Sequence, residues 1–331
     1  MLGDEKKMKK RCLALVFAAA VVLSVMPVMA HGGASPKDRQ YNFYIVSHGG
    51  AIDPFWGTVI KGMNDAARLV GVKATYLGPE KFSIKKMVDM LDSAIAAKPD
   101  GIVVTITNPA PLDEPLRRAI EQGIPVIAIN VPDTRPEGER IPYLCYVGGD
   151  EYLSGVEVAR RMLKDSTPRR AVVGIQEPGH VGLELRAEGF KDVMREKGIP
   201  VETLDITNDP IKAFGAFESY FAKHPDTDAI FTLGPLGNHP AIRFLEEKEL
   251  VGKVMLAGFD LSPMTNDAIK SGKMVCTVEQ QQYLQGYLPI IYLYLYNEHG
   301  LCPHGNVLTG PSIVDQSNVG IVEQSVKKGY R

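Results

Sequence analysis

Cysteine is scarce and badly placed for structural work. Cys12 lies in the amino-terminal apolar stretch, and Cys145, Cys276 and Cys302 are the other three, an odd number with no C-x-x-C and no zinc-ligand spacing. A disulfide framework and a structural zinc site are therefore not expected. Cys145 and Cys276 sit inside apolar runs, where cysteine acts as a small core residue. A surplus of positive charge is also missing: 37 Lys and Arg stand against 39 Asp and Glu, a formal net charge of −2. Nucleic-acid binding needs the opposite balance. Glycine loops that cradle phosphate are absent as well, because Gly49-Gly50 is not part of G-x-G-x-x-G or G-x-x-x-x-G-K. G-x-S-x-G is missing too, which removes the usual α/β-hydrolase nucleophile elbow.

One long apolar stretch is present, Cys12 to Val25, behind a basic leader of Lys6, Lys7, Lys9, Lys10 and Arg11 and ahead of Val28-Met29-Ala30. Basic leader, apolar run and small cleavage residue together read as a secretory signal over residues 1–30. The run is short for a membrane span and no stop-transfer charges follow it. Cys12 precedes it, which argues against a lipid-modified cysteine at the cut. Removing this segment leaves 301 residues, 32 basic and 37 acidic, a formal charge of −5. That length suits two domains.

The mature chain opens with Phe43 to Val46, short and β-branched enough for a buried strand, broken by Ser47-His48-Gly49-Gly50. Asp53 and Pro54 then suit the start of a helix with Trp56, Val59, Ile60 and Met63 at helical spacing. Asp53, Phe55 and Trp56 thus fall at the carboxyl end of the first strand, where open α/β sheets place ligands. Flat apolar faces beside a carboxylate suit a sugar, whose C–H faces stack while its hydroxyls need acceptors. Asp53 serves equally well as a helix cap. His48 reads as a loop histidine with one hydrogen bond to ligand or backbone, since no cysteine, histidine or carboxylate cluster adjoins it in sequence.

Strand and helix patterns alternate from there. Strands are expected at 73–77, 101–106, 125–129, 143–147, 171–175, 201–206, 229–233, 254–258 and 274–278. Helices are expected at 84–97, 112–122, 151–163, 183–196, 213–222, 240–249 and 283–298. Near-continuous apolar strands between helices imply α/β architecture with parallel sheets covered on both faces. Residues 130–142 read as a polar, proline-rich surface loop or linker, 303–315 as a loop, and the remainder as a tail. The tyrosines of the last long helix read as packing residues rather than a ligand wall.

Asp53-Pro54-Phe55-Trp56 with Gly62, Lys98-Pro99-Asp100-Gly101-Ile102, Gly123-Ile124-Pro125-Val126, Arg186-Ala187-Glu188-Gly189-Phe190, Ala257-Gly258-Phe259-Asp260 and Thr277-Val278-Glu279-Gln280 occur in this order along essentially the whole mature chain. Each phrase alone is weak, but their order and spacing resemble the periplasmic sugar-binding proteins of the ribose-, galactose- and allose-binding kind. The resemblance implies two Rossmann-like lobes joined by three crossovers, near 148–150, 279–281 and 313–316, with ligand between them. It divides the chain into residues 38–149 plus 281–312 and residues 150–280 plus 313–331. It also implies a monomeric, non-catalytic receptor that delivers a small sugar or polyol to the membrane permease of an ABC importer, or to a chemoreceptor, from the periplasm. No cofactor, metal or nucleic-acid partner is implied.

Carried over by position, Phe55 and Trp56 stand where relatives have aromatics that sandwich the sugar ring, and Asp53 where they often have asparagine. Asp260 matches an aspartate that takes hydroxyl protons, and Gln280 a glutamine near the hinge. The departures are Asn130, followed by Val131 where relatives have aspartate then arginine, Glu184 where an arginine is common, and Gly234 where an asparagine is common. Arg186, two residues on, either reaches the ligand or packs on its helix. Losing two expected arginines points away from ribose and toward a polyol, a modified sugar or a furanose-like signal of the autoinducer-2 type. The competing class is an exported sugar-processing enzyme with Asp53 and Asp260 as acid and base.

Overall fold

The computed structural model describes residues 40–50 and 53–331, so the expected signal segment and its cleavage site lie outside the described residues. The first half runs β1 (Asn42–Val46), α1 (Pro54–Val70), β2 (Lys73–Leu77), α2 (Ile84–Ala96), β3 (Gly101–Val104), α3 (Pro109–Glu121), β4 (Val126–Ile129) and β5 (Cys145–Gly149). The second runs α4 (Glu151–Asp165), β6 (Ala171–Ile175), α5 (Val181–Glu196), β7 (Val201–Asp205), α6 (Pro210–Lys223), β8 (Ala229–Thr232), α7 (Pro235–Glu247), β9 (Met255–Phe259), α8 (Pro263–Lys270) and β10 (Cys276–Glu279). The chain ends with α9 (Gln282–His299), β11 (Gly305–Gly310), β12 (Ser312–Asp315) and α10 (Val319–Lys327).

Two six-stranded sheets result, ordered β11-β5-β4-β3-β1-β2 and β12-β10-β9-β8-β6-β7. All pairings are parallel except β10 with β12. The inner strands β3, β4, β5, β6, β8 and β10 are buried at every position, which helices on both faces require. The fold is thus two α/β lobes. The chain changes sheet at Asp150, at Gln280–Gln281 and at Pro311, the last just ahead of the expected 313–316.

Each lobe has one tightly packed helix pair. A Cβ on Gly62 of α1 would meet the Tyr283 carbonyl of α9, and one on Gly286 of α9 would meet the Val59 carbonyl. In the other lobe Gly155 of α4 faces the Arg186 carbonyl and Gly189 of α5 faces the Tyr152 carbonyl in the same way. Any side chain at these positions would drive the helices apart.

Several expectations change. Residues 303–315 are not a loop: β11 and β12 extend the two sheets as edge strands, their alternation hidden by short length and by Pro311 between them. The tail holds α10, and Ser262-Pro263 starts α8, with the Ser262 side chain accepting from Thr265 N. Helices α3, α6 and α7 begin earlier than expected, each at a proline in the first turn, where the missing N–H costs nothing. Residues 130–142 are not simply a surface loop. Asn130, Val131, Asp133 and Ile141 are buried, and the Asp133 carboxylate accepts from Ile141 N at 2.9 Å and from Arg135 N at 3.1 Å.

Candidate functional site

The carboxyl ends of the parallel strands in both lobes point into one narrow cavity of about 30 Å³, well below the roughly 300–1,000 Å³ of small-molecule sites. From the first lobe come His48 after β1, Asp53, Phe55 and Trp56 at the start of α1, and Asn130 after β4. From the second come Gln176 and Glu177 after β6, His180 and Arg186 at and in α5, Gly234 ahead of α7, and Asp260 after β9, with Gln280 at the crossing between the lobes. Nine of the ten residues singled out in the sequence line it. Glu184 does not: it is exposed in the first turn of α5, where its carboxylate accepts from Gly179 N at 3.4 Å.

Asp53 caps α1 and stands at the cavity. Oδ1 caps α1 by accepting from Phe55 N at 3.0 Å, a contact worth about 1 kcal/mol, while the side chain also borders the cavity. Burial pushes its carboxyl up to about 6. Phe55 and Trp56 are nearly fully buried and meet edge to face, their centroids 4.7 Å apart. They therefore share one wall and do not face each other across the space, so the sandwich implied by the resemblance is not formed by this pair.

Asn130 and Asp260 end β4 and β9, which hold the same place in their sheets, and both have left-handed backbones, φ 61° and 66°. Asn and Asp tolerate that conformation better than most residues, and it turns their side chains out of the strand. Asp260 Oδ1 accepts from Gln280 Nε2 at 2.9 Å and Gln282 Nε2 at 3.2 Å, and among the described residues Oδ2 has no protein partner. Burial pushes this carboxyl up to about 7 against the opposing pull of Arg186. Gln280 is held in turn by Gln285 Nε2 at 3.0 Å and faces Asn130 Nδ2 at 3.5 Å. Gly234 has an extended backbone, and a Cβ there would press on Gln176 Nε2.

Arg186 lines the cavity. It pairs with Glu151 through Nε and, at 3.0 Å, through Nη2, while Nη1 donates to Leu233 O at 2.8 Å. Its guanidinium lies 3.6 Å from the Phe259 ring centroid. Burial works against its charge and the Glu151 carboxylate more than restores it, while burial raises the Glu151 carboxyl against the opposing pull of Arg186.

The sequence reading missed Glu151, Gln176, Glu177 and His180, and it placed His48 alone. His48 Nε2 is 3.1 Å from His180 Nε2 across the cleft, and Glu177 Oε2 is 3.9 Å from the same His48 nitrogen. Two imidazoles and a carboxylate within 4.8 Å could hold a metal ion. The caps argue otherwise. His180 Nδ1 accepts from Leu183 N at 3.2 Å, so in a neutral ring the proton sits on Nε2, the nitrogen a metal would need. The consistent chain is Leu183 N–H to His180, His180 Nε2–H to His48, and His48 Nδ1–H to Thr105 Oγ1 at 3.0 Å. It crosses from one lobe to the other and requires both rings neutral. Burial lowers both, His48 to about 3 and His180 well below its ordinary value. Glu177, whose side-chain carboxyl has no hydrogen bond among the described residues, is pushed up to about 8 by burial and then by Asp53. Val181 N–H donates to Thr107 O at 3.0 Å beside this chain, so the lobes are closed on each other. The signal for His180 was its own motif, a histidine at a helix start.

The periplasmic binding protein domain profile matches residues 43–298. The chain belongs to the periplasmic binding protein family. The xylose/arabinose-binding protein of Sulfolobus acidocaldarius is 29% identical over 300 residues, covering 87% of this chain and 74% of that protein. A periplasmic sugar-binding protein of an ABC transporter from Legionella pneumophila is 33% identical, with a TM-score of 0.77 over 82% of this chain and 100% of that one. A carbohydrate transporter protein from Acidothermus cellulolyticus, solved with myo-inositol, is 27% identical, with a TM-score of 0.81 over 88% of this chain and 100% of that one. Among the described residues of this family member no helix is long and apolar enough to cross a membrane.

Proposed function

We propose that this protein is an exported solute receptor that holds a monosaccharide, polyol or related hydroxylated molecule between its lobes and presents it to an ABC importer without altering it. One observation carries the reading: a cavity lined from both lobes brings the aromatic side chains of Phe55 and Trp56 together with the carboxyl groups of Asp53 and Asp260. Neutral hydroxylated ligands need that combination, since their C–H faces stack and their hydroxyls donate. The relatives' names support it, as xylose, arabinose and myo-inositol are molecules of this kind.

Asp53, Asn130, Arg186, Asp260, Gln280 and His180 are the polar ligand contacts in this reading, and Phe55, Trp56 and His48 the ring contacts. The hinge is the set of crossings at Asp150, Gln280–Gln281 and Pro311, about which residues 40–149 with 282–310 rotate against the rest. Opening breaks the His48–His180 bond and admits ligand. Trp56, the single tryptophan, reports the event. Its fluorescence should shift on adding one or more members of a panel of pentoses, hexoses and cyclitols, with affinity near micromolar, about −8 kcal/mol. A flat response in both fluorescence and calorimetry across the panel would remove the reading, and turnover of a bound sugar in NMR would replace it.

A further inference from the structure

The odd cysteine count spoke against disulfides, yet the fold brings two thiols together. Cys145 opens β5 and is buried. Cys302 lies 157 positions later, between α9 and β11, and its Sγ stands 3.7 Å from that of Cys145. The approach is built into the sheet, because β11 pairs in parallel with β5 and places Gly305 opposite Cys145. Cys276 lies buried in the other sheet and takes no part.

The segment between the second and third crossings has a task the rest of the first lobe does not. It leaves the second sheet at Gln280–Gln281, packs α9 on α1, and returns to the second sheet at Pro311. Its strand β11 is an edge strand held through β5 alone, and Leu308 on it is 58% exposed. A covalent tie at Cys302 would hold this strand in register next to a crossing about which the lobes turn.

We propose that Cys145 and Cys302 are a disulfide-forming pair, closed by exchange with a thiol–disulfide oxidant, that fastens residues 282–310 to the first lobe. The chemistry balances with that oxidant as the electron acceptor. Cys302, the more exposed thiol, attacks one sulfur of the oxidant as a thiolate and releases its first thiol. Cys145 then attacks Cys302 Sγ and releases the second, so two protons and two electrons leave the protein and one S–S bond of about 2.0 Å forms. Burial slows both steps. It pushes the Cys145 thiol up to about 12, reinforced by the charge of Cys302, and it raises Cys302 against the contact with Cys145. Exchange is therefore faster at alkaline pH.

The test is incubation of the purified, reduced protein with oxidised glutathione at pH 8.5, then alkylation in denaturant and peptide mass mapping. The expected product is a cross-linked peptide pair carrying Cys145 and Cys302, with Cys276 recovered alkylated. The melting temperature of the oxidised protein should exceed that of the reduced protein by roughly 5–10 °C, a difference lost in Cys302→Ser. Recovery of Cys145 and Cys302 both alkylated, glutathione adducts that never resolve, or a cross-link through Cys276 would each overturn the pairing. A Cys145–Cys302 cross-link with equal melting temperatures would overturn the fastening role. None of these outcomes depends on which ligand the cleft takes.

Discussion

β4 and β9 stand at matching places in their sheets and end on the related residues Asn130 and Asp260, each with a left-handed backbone and a side chain at the cleft. Beyond this shared plan the walls diverge. The first lobe adds rings, with Phe55, Trp56 and His48 packed edge to face. The second adds ionisable groups, with the Glu151–Arg186 pair and the Asp260 carboxyl buried and Glu177 beside them. Apolar rings hold their place by packing alone, whereas buried charge needs partners from elsewhere in the chain. The second wall is accordingly the costlier one to disturb.

Arg186→Met gives the largest expected break in that comparison. It strands Glu151 in a site 3% to 4% exposed and should cost about 3–5 kcal/mol in urea unfolding. Adding Glu151→Gln should recover part of the loss, because it removes the orphaned charge. A single variant within about 0.5 kcal/mol of the parent would show that the pair is not what holds this wall.

Asp260→Asn sharpens the comparison at the level of ligand. The shape and the left-handed backbone are kept, but one acceptor facing the cavity becomes a donor. Affinity for whichever panel member binds should fall by roughly 1–3 kcal/mol, about 5- to 150-fold in titration calorimetry. Folded stability should hold or rise, since the carboxyl is buried and pushed up to about 7. Equal binding by both proteins would take Asp260 out of the ligand set.

The ring-bearing part of the first wall was readable in the sequence because it lies within nine residues, from His48 to Trp56, on one strand, turn and helix. Local periodicity and capping chemistry gave each its place. Asp260 and Gln280 became visible through the resemblance, since their surroundings are ordinary turns. The His48–His180 contact spans 132 positions and the Arg186–Glu151 pair joins two helices, so neither has a local signature. Glu184 was misplaced by a single helical offset. On α5 it points to solvent at the start of the helix, and Arg186 two positions later faces inward. The edge strands β11 and β12 escaped because strands of six and four residues around a proline carry too little alternation.

Acidification probes the histidine link between the walls and carries the smallest expected effect near neutral pH. His48 and His180 face each other, with Glu177, Arg186 and the Thr105 hydroxyl around them, and both are held below their ordinary value of about 6.5 by burial. Well above pH 6.5 neither ring is protonated in either state and neither changes stability. Below it the unfolded chain takes up protons that the folded chain refuses, so stability falls as pH drops from 6.5 toward 3. The carboxyls act in reverse. Asp53, Asp260 and Glu177 are pushed up to about 6, 7 and 8, so the stability they contribute is complete below about pH 4 and is lost as pH rises through those values. The urea midpoint should therefore respond with opposite slopes from the two sets of groups. His180→Asn keeps a side chain able to cap α5 and deletes one ring, so its loss between pH 6.5 and 5 should be visibly shallower than the parent's. An identical acid slope in parent and variant would mean that the proton enters elsewhere and that the two rings do not latch the lobes.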